Sequence, residues 1–302
     1  MGSRRKVNKN ARREAIEGYL FVLPLLIGLL FFTVWPVIQS LIISFCKYNI
    51  VTPAKFIGAK NYVELFHDQL FWKSLLVTTI YSVISVPLGL AAGLGVALLM
   101  NSKVKGIAIF RTIYYLPAVV SGVAVSLLWV WIFNPDYGLA NVATKALHLG
   151  TYKWLNDPRT ALGSLILMSL WGVGGGMVIY LAGLQGVPQH LYEAANLDGA
   201  NSWQQFTNVT IPMLTPVIFY NLIMGIIGSF QVFTQAFVMT GGGPNNSTLF
   251  YVLYLFRQAF NYFHMGYASA MAWVLFAIIL VLTLLVFKSS SAWVYYEGDR
   301  RG

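Results

Sequence analysis

The sequence predicts an all-α polytopic membrane protein with about six transmembrane helices. Of its 302 residues, 57% are Ala, Val, Ile, Leu, Met, Phe, Trp, Tyr or Cys and only 10% are charged, against about 25% charged in soluble domains. The apolar residues are grouped in stretches of about 20, the length that a helix needs to cross a bilayer. This composition excludes a typical soluble enzyme and a disordered chain. Cys46 is the single cysteine, which excludes a disulfide scaffold.

Six apolar stretches are long enough to span the membrane. They are Tyr19 to Phe45, Leu75 to Met100, Ile107 to Phe133, Ala161 to Gly183, Pro212 to Val238, and Tyr267 to Phe287. The turn-forming sequence Gly241 to Asn246 ends the fifth span. Leu249 to Phe256 is too short to cross and is predicted to be an external interfacial segment, as a short helix.

The distribution of basic residues predicts that both chain ends are cytoplasmic. The arm before the first span and the tail after the sixth are basic, with Arg4, Arg5, Lys6, Lys9, Arg12, Arg13, Lys288, Arg300 and Arg301. We therefore predict a cytoplasmic arm (1–18), a transmembrane domain (19–287) with a cytoplasmic coupling loop (186–211), and a cytoplasmic tail (288–302). A secretory signal is the alternative for the first span, but its apolar run exceeds the usual 7–15 residues.

The predicted spans contain uncharged polar residues, chiefly Ser82, Ser85, Asn221, Ser229, Gln231, Thr234 and Gln235. Hydroxyls and amides beside aromatic rings suit a neutral polyhydroxylated ligand such as a sugar. Taken singly, each of these residues fits hydrogen bonding between helices better than ligand binding, whereas the polar residues of the fifth span, taken as a set, favour a ligand. The glycine-rich stretch Trp171 to Gly176 has two interpretations, close packing against a neighbour or a break of the fourth span at a binding site.

Motifs of self-contained catalysis are absent from the sequence. It has no G-x-x-x-x-G-K-[ST] phosphate loop, no H-E-x-x-H and no C-x-x-C, so we expect no enzyme activity, no metal site and no ATPase in this chain. A membrane-embedded transferase is disfavoured because Glu64, Asp68, Asp136 and Asp157 have no metal-ligand spacing. The main alternative is a self-sufficient secondary transporter or channel for a small polar solute, although no ionisable residue lies in the middle of a span.

The loop before the fifth span predicts two short helices that meet at a glycine corner. Pro188 suits a first helical position, and Gly199 suits the left-handed residue after a helix end. Ser202 to Gln205 reads as a capping box. A structured internal loop that carries Glu193 and Asp198 without Lys or Arg favours docking to a basic groove of another protein over contact with anionic lipid headgroups.

This loop also resembles a known family motif. Glu193-Ala194-Ala195, then Gly199, then Val209-Thr210-Ile211-Pro212, is similar to the EAA motif of binding-protein-dependent ABC importer permeases, sugar branch. Three other stretches resemble that branch: Phe110 to Pro117, Trp131 to Gly138, and Thr240 to Pro244. The end of the chain, Trp293 to Gly298, is similar to the first of the two permeases, the MalF-like or UgpA-like subunit. The resemblance extends over essentially the whole chain.

The resemblance implies an ABC type I importer permease fold in a bacterial plasma membrane, carrying a di- or oligosaccharide. The implied partners are a second permease subunit in a heterodimer, two ATP-binding subunits that hold ATP and Mg, and an extracytoplasmic sugar-binding protein. The resemblance implies no nucleic-acid partner, and it implies no cofactor bound to this chain. The sequence leaves the identity of the sugar open, glycerol phosphate included.

The resemblance also assigns residues to roles. It implies ATPase coupling by Glu193, Ala194, Ala195, Asp198 and Gly199. It implies substrate binding by Trp171, Gly172, Gly175, Gly225, Gly228, Ser229 and Val232, to which the polar set of the fifth span adds Gln231. Gly175 and Val232 differ from the maltose-type permease, so maltose itself is not implied.

Overall fold

A computed structural model describes residues 9–102 and 104–295, with side chains from residue 13 onward. The predicted arm residues Arg4, Arg5 and Lys6 and the tail residues Arg300 and Arg301 lie outside the described residues. The described chain consists of helices joined by short connections, with one two-stranded sheet. Its described residues separate into two compact units, 9–65 with 258–273, and 66–257 with 274–295.

The first unit begins with one long interrupted helix. α1 (Lys9–Leu29) continues through a π-helical turn (Leu30–Val34) into α2 (Trp35–Ser44). The π turn directly precedes Pro36, whose ring lacks an N–H and crowds the preceding turn, so the helix widens there. β1 (Cys46–Lys47) and β2 (Lys55–Phe56) then pair antiparallel, and α3 (Lys60–His67) follows.

Asn61 holds the first unit together. Its Nδ2 donates to the carbonyls of Ser44 at 2.7 Å and Cys46 at 2.9 Å. Gly266, at the start of the last helix α14 (Met265–Trp293), donates its N–H to the Tyr48 carbonyl at 3.2 Å. A Cβ at Gly266 would overlap the Cys46 carbonyl oxygen, so this close approach requires glycine.

The second unit starts with the longest helix. α4 (Gln69–Met100) begins at Asp68, whose side chain accepts the Leu70 N–H at 2.8 Å as an N-cap. α5 (Ile107–Val119), α6 (Gly122–Ile132) and α7 (Leu139–Ala146) follow, then α8 (Ala161–Ser169), a 3₁₀ turn (Leu170–Gly172) and α9 (Gly174–Gln185). The interior helices are apolar almost all round, as expected of helices surrounded by protein and lipid.

The rest of the second unit contains the loop singled out in the sequence. It comprises α10 (Gln189–Leu197), α11 (Ser202–Gln205), a π turn (Phe206–Thr210), α12 (Ile211–Phe230), a second π turn (Ala236–Thr240) and α13 (Tyr251–Phe256). The first of these π turns again precedes a proline, Pro212. α4, α9 and α12 pack around a core of Ala97, Met100, Met177, Tyr180, Leu181, Leu184 and Leu214.

Within the described residues, four helices are long and apolar enough to cross a membrane: Arg13–Ser44, Gln69–Met100, Ser202–Phe230 and Met265–Trp293. Two bent helix pairs raise the number to six if each pair counts as one span. The fold class and the number of about six spans are thus confirmed. The fourth span breaks at Gly172 with a bend of 44°, as its glycines allowed.

Two predicted spans differ in detail from the structure. The third, Ile107 to Phe133, bends by 101° between α5 and α6, because Val120 and Ser121 are extended, with ψ of 142° and 132°, just after Pro117. The fifth starts earlier, since the helix is continuous from Ser202, and it ends at Phe230 rather than Val238. Its end closes with a bond from the Gln231 N–H to the Gly228 carbonyl at 3.2 Å.

Candidate functional site

A cavity of about 430 Å³ lies in the second unit between α4, the break before α9, and α12. Five of the residues that the resemblance assigns to substrate binding line this cavity: Gly172, Gly225, Gly228, Ser229 and Val232. The break in the fourth span brings Gly172 to the wall, and the end of α12 brings Gly228 and Ser229 there. Residues about 50 to 60 positions apart in sequence thus meet around one space.

Three assigned residues are not in the cavity wall. Trp171 is 41% exposed and packs edge-on against Trp129, with ring centroids 6.1 Å apart. A Cβ atom added at Gly175 would have no neighbouring atom within 4 Å. Gln231 is exposed at the end of α12. Their roles stay predictions.

Two polar residues of the wall, Tyr81 on α4 and Ser169 at the end of α8, were not predicted from the sequence. Ser85 on α4, Asn221 on α12 and Gln235 also line the wall, and they belong to the uncharged polar residues that favoured a sugar ligand. A signal for α4 was present in its sequence, because Ser74, Thr78, Ser82 and Ser85 recur at the spacing of one helix face. All four are buried, so this face of α4 is turned toward protein.

Ser229 connects α12 to α4 at the edge of the cavity. Its Oγ donates to the Ile226 carbonyl at 2.9 Å and lies 2.5 Å from the Ser82 Oγ. Because the single Ser229 proton is engaged with the carbonyl, Ser82 is the donor of the second bond. Ser229 therefore fits both interpretations of the polar residues, ligand binding and hydrogen bonding between helices. It lines the cavity, and it also bonds α12 to α4.

The assigned glycines of α12 differ in their surroundings. A Cβ at Gly225 would lie 3.1 Å from Cγ1 of Val86, so glycine lets α12 approach α4 closely at this point. Gly228 and Gly172 have nothing within 4 Å. Gly225 accordingly has a packing role, whether or not it also contacts the substrate. Gly172 and Gly228 leave open space in the cavity.

The second group of assigned residues forms an exposed helical corner. On α10, Glu193 and Ala194 are exposed and Ala195 is half-buried, and Asp198 and Gly199 beyond it are exposed. Gln189 donates an amide hydrogen to Glu193 at 3.0 Å. Leu197 is 90% exposed, an unusual position for a leucine in an ordered segment.

Local hydrogen bonds fix this corner. The N–H of Ala200 reaches the Ala195 carbonyl at 2.9 Å and that of Gly199 reaches the Asn196 carbonyl at 3.0 Å, which is a Schellman motif. Gly199 has φ of +75°, so the predicted left-handed residue is confirmed. Asn201, not Ser202, is the N-cap of α11 and forms the capping box with Gln204. Pro188 is the N-cap of α10 rather than its first helical residue.

Side chains join the corner to the base of α12. The Tyr192 hydroxyl lies 3.0 Å from Oγ1 of Thr210, which immediately precedes α12. Nε2 of Gln205 donates to Oδ1 of Asn196 at 2.6 Å and to the Ala200 carbonyl at 3.1 Å. α10 and α12 are therefore held as one block by bonds at both ends of the corner.

Comparison with known proteins decides the family. The protein-family model described as "Binding-protein-dependent transport system inner membrane component" matches residues 85–293. The chain is 46% identical over 298 residues to the probable ABC transporter permease protein YesP of Bacillus subtilis (strain 168), covering 97% of this chain and 96% of that protein. The chain belongs to the ABC transporter permease family. As a permease of this type it is a multi-pass membrane protein.

Two further relatives extend the comparison. The permease is 36% identical to the trehalose/maltose transport system permease protein MalF of Thermococcus litoralis, over 91% of this chain and 94% of that protein. Its fold matches the crystal structure of a bacterial ABC transporter that imports the acidic polysaccharide alginate, with a TM-score of 0.82, 25% identity, and coverage of 94% of this chain and 97% of that chain. The ABC importer permease fold is therefore confirmed.

The family match contains most of the two groups of residues described above. Residues 85–293 include the corner at α10 and every assigned cavity residue. Tyr81 and Ser82 lie on α4 just before this range. The wall of the cavity thus combines residues inside the matched range with one α4 residue outside it, Tyr81.

Proposed function

We propose that this permease forms half of the translocation path for a carbohydrate, a di- or oligosaccharide, in an ATP-driven importer. The observation that carries the proposal is the cavity between α4, α9 and α12, whose polar groups are hydroxyls and amides. Such groups bind sugar hydroxyls without requiring a charge to be desolvated. The named substrates of several relatives, trehalose and maltose, lactose, and arabinooligosaccharides, support the same class.

The proposed assembly supplies what this chain lacks. A second permease completes the path, two ATP-binding subunits hold ATP and Mg, and an extracytoplasmic binding protein delivers the sugar. A matching structure of a bacterial alginate ABC transporter in complex with an alginate pentasaccharide-bound periplasmic protein supports the last partner. The chain itself has no catalytic role in this scheme, consistent with the absence of a phosphate-loop sequence. We propose that the membrane is a bacterial plasma membrane and that the N- and C-termini are cytoplasmic, which the basic arm and tail support.

The geometry supports a simple mechanism for energy coupling. Glu193 to Gly199 dock on an ATPase subunit, with Glu193 pairing with a basic residue there. When the ATPases close, α10 moves with them, and the Tyr192–Thr210 contact carries the movement to α12. The other end of α12 holds Gly228 and Ser229 in the cavity wall. The cavity therefore changes its opening without ATP approaching it, which is alternating access by movement of packed helices.

Co-purification from native membranes in mild detergent tests the assembly. A second permease and an ATPase in stoichiometric amounts are expected. A single-chain particle that transports alone in liposomes would replace the proposal with a secondary transporter.

The coupling role is tested by Glu193→Ala, with Glu17→Ala as the matched control. Glu17 is also an exposed glutamate on a helix, with its side chain paired to Arg13. We expect the Glu193→Ala variant to insert into the membrane normally. Its sugar uptake and its sugar-stimulated ATP hydrolysis should both fall by about tenfold, which corresponds to a typical coupling free energy. Glu17→Ala should retain both activities. Full transport by Glu193→Ala would contradict the coupling role.

A further inference from the structure

The α4 wall of the cavity has a hydroxyl cluster that the resemblance does not assign to substrate. Tyr81 and Ser85 are four residues apart on one face of α4, and both line the cavity. They are only 6% and 7% exposed. The Tyr81 ring is held edge-on by Phe250, with centroids 5.0 Å apart and planes at 77°. Its hydroxyl therefore has a fixed position before any ligand binds.

The hydroxyl cluster faces the cavity from two sides. Ser169, on the opposite wall, donates its single proton to the Ile166 carbonyl at 2.6 Å. The hydroxyls of Tyr81 and Ser85 can each donate one hydrogen bond and accept others, so both can bind a sugar O–H group.

Two other polar groups of the wall donate to backbone carbonyls. The Ser229 proton goes to Ile226, and one Asn221 N–H goes to the Val217 carbonyl at 2.9 Å. Among the described residues that line the cavity there is no Asp, Glu, Lys, Arg or His. A wall of hydroxyls and amides without a cation favours an uncharged ligand that binds through O–H groups. It disfavours a carboxylate or phosphate, whose charge would be desolvated without a compensating cation.

We propose that Tyr81 and Ser85 are specificity-determining residues that bind a substrate hydroxyl and select an uncharged saccharide over an acidic one. This inference rests on the proposed function, since it places the transported sugar in this cavity. It separates this permease by chemistry from its structural neighbour, the importer of acidic alginate. The α4 side of the site would thus come from a helix that the resemblance did not assign to substrate.

The test uses the complete transporter, with both permeases, the ATPases and the binding protein, in proteoliposomes. Uptake of maltose, trehalose, lactose and a di-uronate disaccharide is measured first. We expect import of at least one of the neutral sugars and no import of the di-uronate. Import of the di-uronate at a comparable rate would overturn the selection of uncharged sugars. Import of no saccharide would overturn the proposed function, and with it this inference.

The residues are tested by Tyr81→Phe and Ser85→Ala on the neutral sugar that the wild type imports. Uptake should fall by about 3- to 10-fold, the effect of one neutral hydrogen bond, with assembly of the transporter unchanged. Tyr62→Phe is the control, because it also removes one bonded tyrosine hydroxyl, 2.8 Å from the Ser44 Oγ, but Tyr62 does not line the cavity. Wild-type uptake by both variants would overturn the proposal while leaving the proposed function intact.

Monodeoxy analogues of the imported sugar distinguish binding from a purely structural effect. One analogue should be imported poorly by the wild type and be insensitive to Tyr81→Phe, because both changes remove the same hydrogen bond. The other analogues should show the full loss with Tyr81→Phe. A uniform loss for every analogue would indicate a packing role for Tyr81 and would overturn the proposed contact.

Discussion

The segments on either side of α12 are built in opposite ways. Before α12, residues 188–205 have no fully buried residue, and Leu197 and Trp203 are 90% and 69% exposed. After it, residues 248–254 are almost entirely buried, with Thr248, Phe250 and Tyr251 at 0%. Both segments connect membrane helices and both contain a short helix. Only the second is buried against the rest of the chain.

The buried segment is attached by bonds to distant residues. The Tyr251 N–H donates to Oγ1 of Thr78 at 2.9 Å, and the Tyr254 hydroxyl donates to Oδ2 of Asp68 at 2.5 Å. Arg257 donates to the Gly241 carbonyl, closing the glycine-rich turn. The exposed segment bonds chiefly to itself, through the Schellman motif and the capping box.

This difference favours different roles for the two segments. A segment that is already ordered by local bonds but leaves a leucine and a tryptophan exposed has an apolar surface available for another protein. A segment whose side chains are buried in its own chain contributes to stability instead. The contrast supports the proposed docking of α10 on an ATPase subunit.

The largest effect expected from this comparison is on Leu253, which is 1% exposed. Leu253→Ala should lower the free energy of unfolding by about 2–5 kcal/mol because it leaves a cavity in the core. In detergent, this corresponds to a fall of roughly 5–15 °C in the midpoint of thermal aggregation. Leu197→Ala is the matched control and should leave the midpoint of the isolated chain unchanged while weakening retention of the ATPase. Equal destabilisation by the two variants would contradict the comparison.

A smaller difference is expected between two left-handed glycines, Gly242 with φ of +86° and Gly199 with φ of +75°. Alanine at either position costs about 1–2 kcal/mol of backbone strain. At Gly242 the new Cβ would also lie 3.2 Å from Leu253 and 3.3 Å from Arg257, whereas Gly199 has open space. Gly242→Ala should therefore be more destabilising by about 1–3 kcal/mol of overpacking, measured as the aggregation midpoint. The reverse order would mean that the exposed corner is under greater constraint.

The smallest effect concerns the capping box of α11. Asn201→Ala should remove about 1 kcal/mol from this helix end, which speeds hydrogen exchange of the Gln204 amide about fivefold. Ser202→Ala, one position along, should have little effect because Ser202 is the first helical residue and not the cap. If Ser202→Ala had the larger effect, the cap would be where the sequence pattern placed it.

Sequence patterns located the helices better than their ends. The apolar stretches identified the membrane helices, because length and lipid solubility are properties of each segment alone. The cap of α11 was misplaced by one residue, since Asn201 and Ser202 are both good caps and only the backbone conformation distinguishes them. The 101° bend between α5 and α6 was also missed, because Pro117 in an apolar run is compatible with a kink or with a straight continuation.

The candidate site was predictable only in part. The motif around Glu193 assigned the coupling corner because its residues are adjacent in sequence. Gly172 and Ser229 were reached through the resemblance, and the structure places both in one cavity wall. Tyr81 was missed because a tyrosine in an apolar helix is ordinary, and its neighbours Ser169 and Phe250 come from distant parts of the chain.

The sequence by itself determined the membrane class, about six spans, the family and the helical corner at Gly199, because each depends on composition, on local spacing or on a contiguous motif. Only the tertiary structure decided which polar residues face a common space, which glycines permit close approach, and which connecting segment is buried. Those properties depend on pairs of residues far apart in the chain, and packing of α4 against α12 is what brings Ser82 to within 2.5 Å of Ser229.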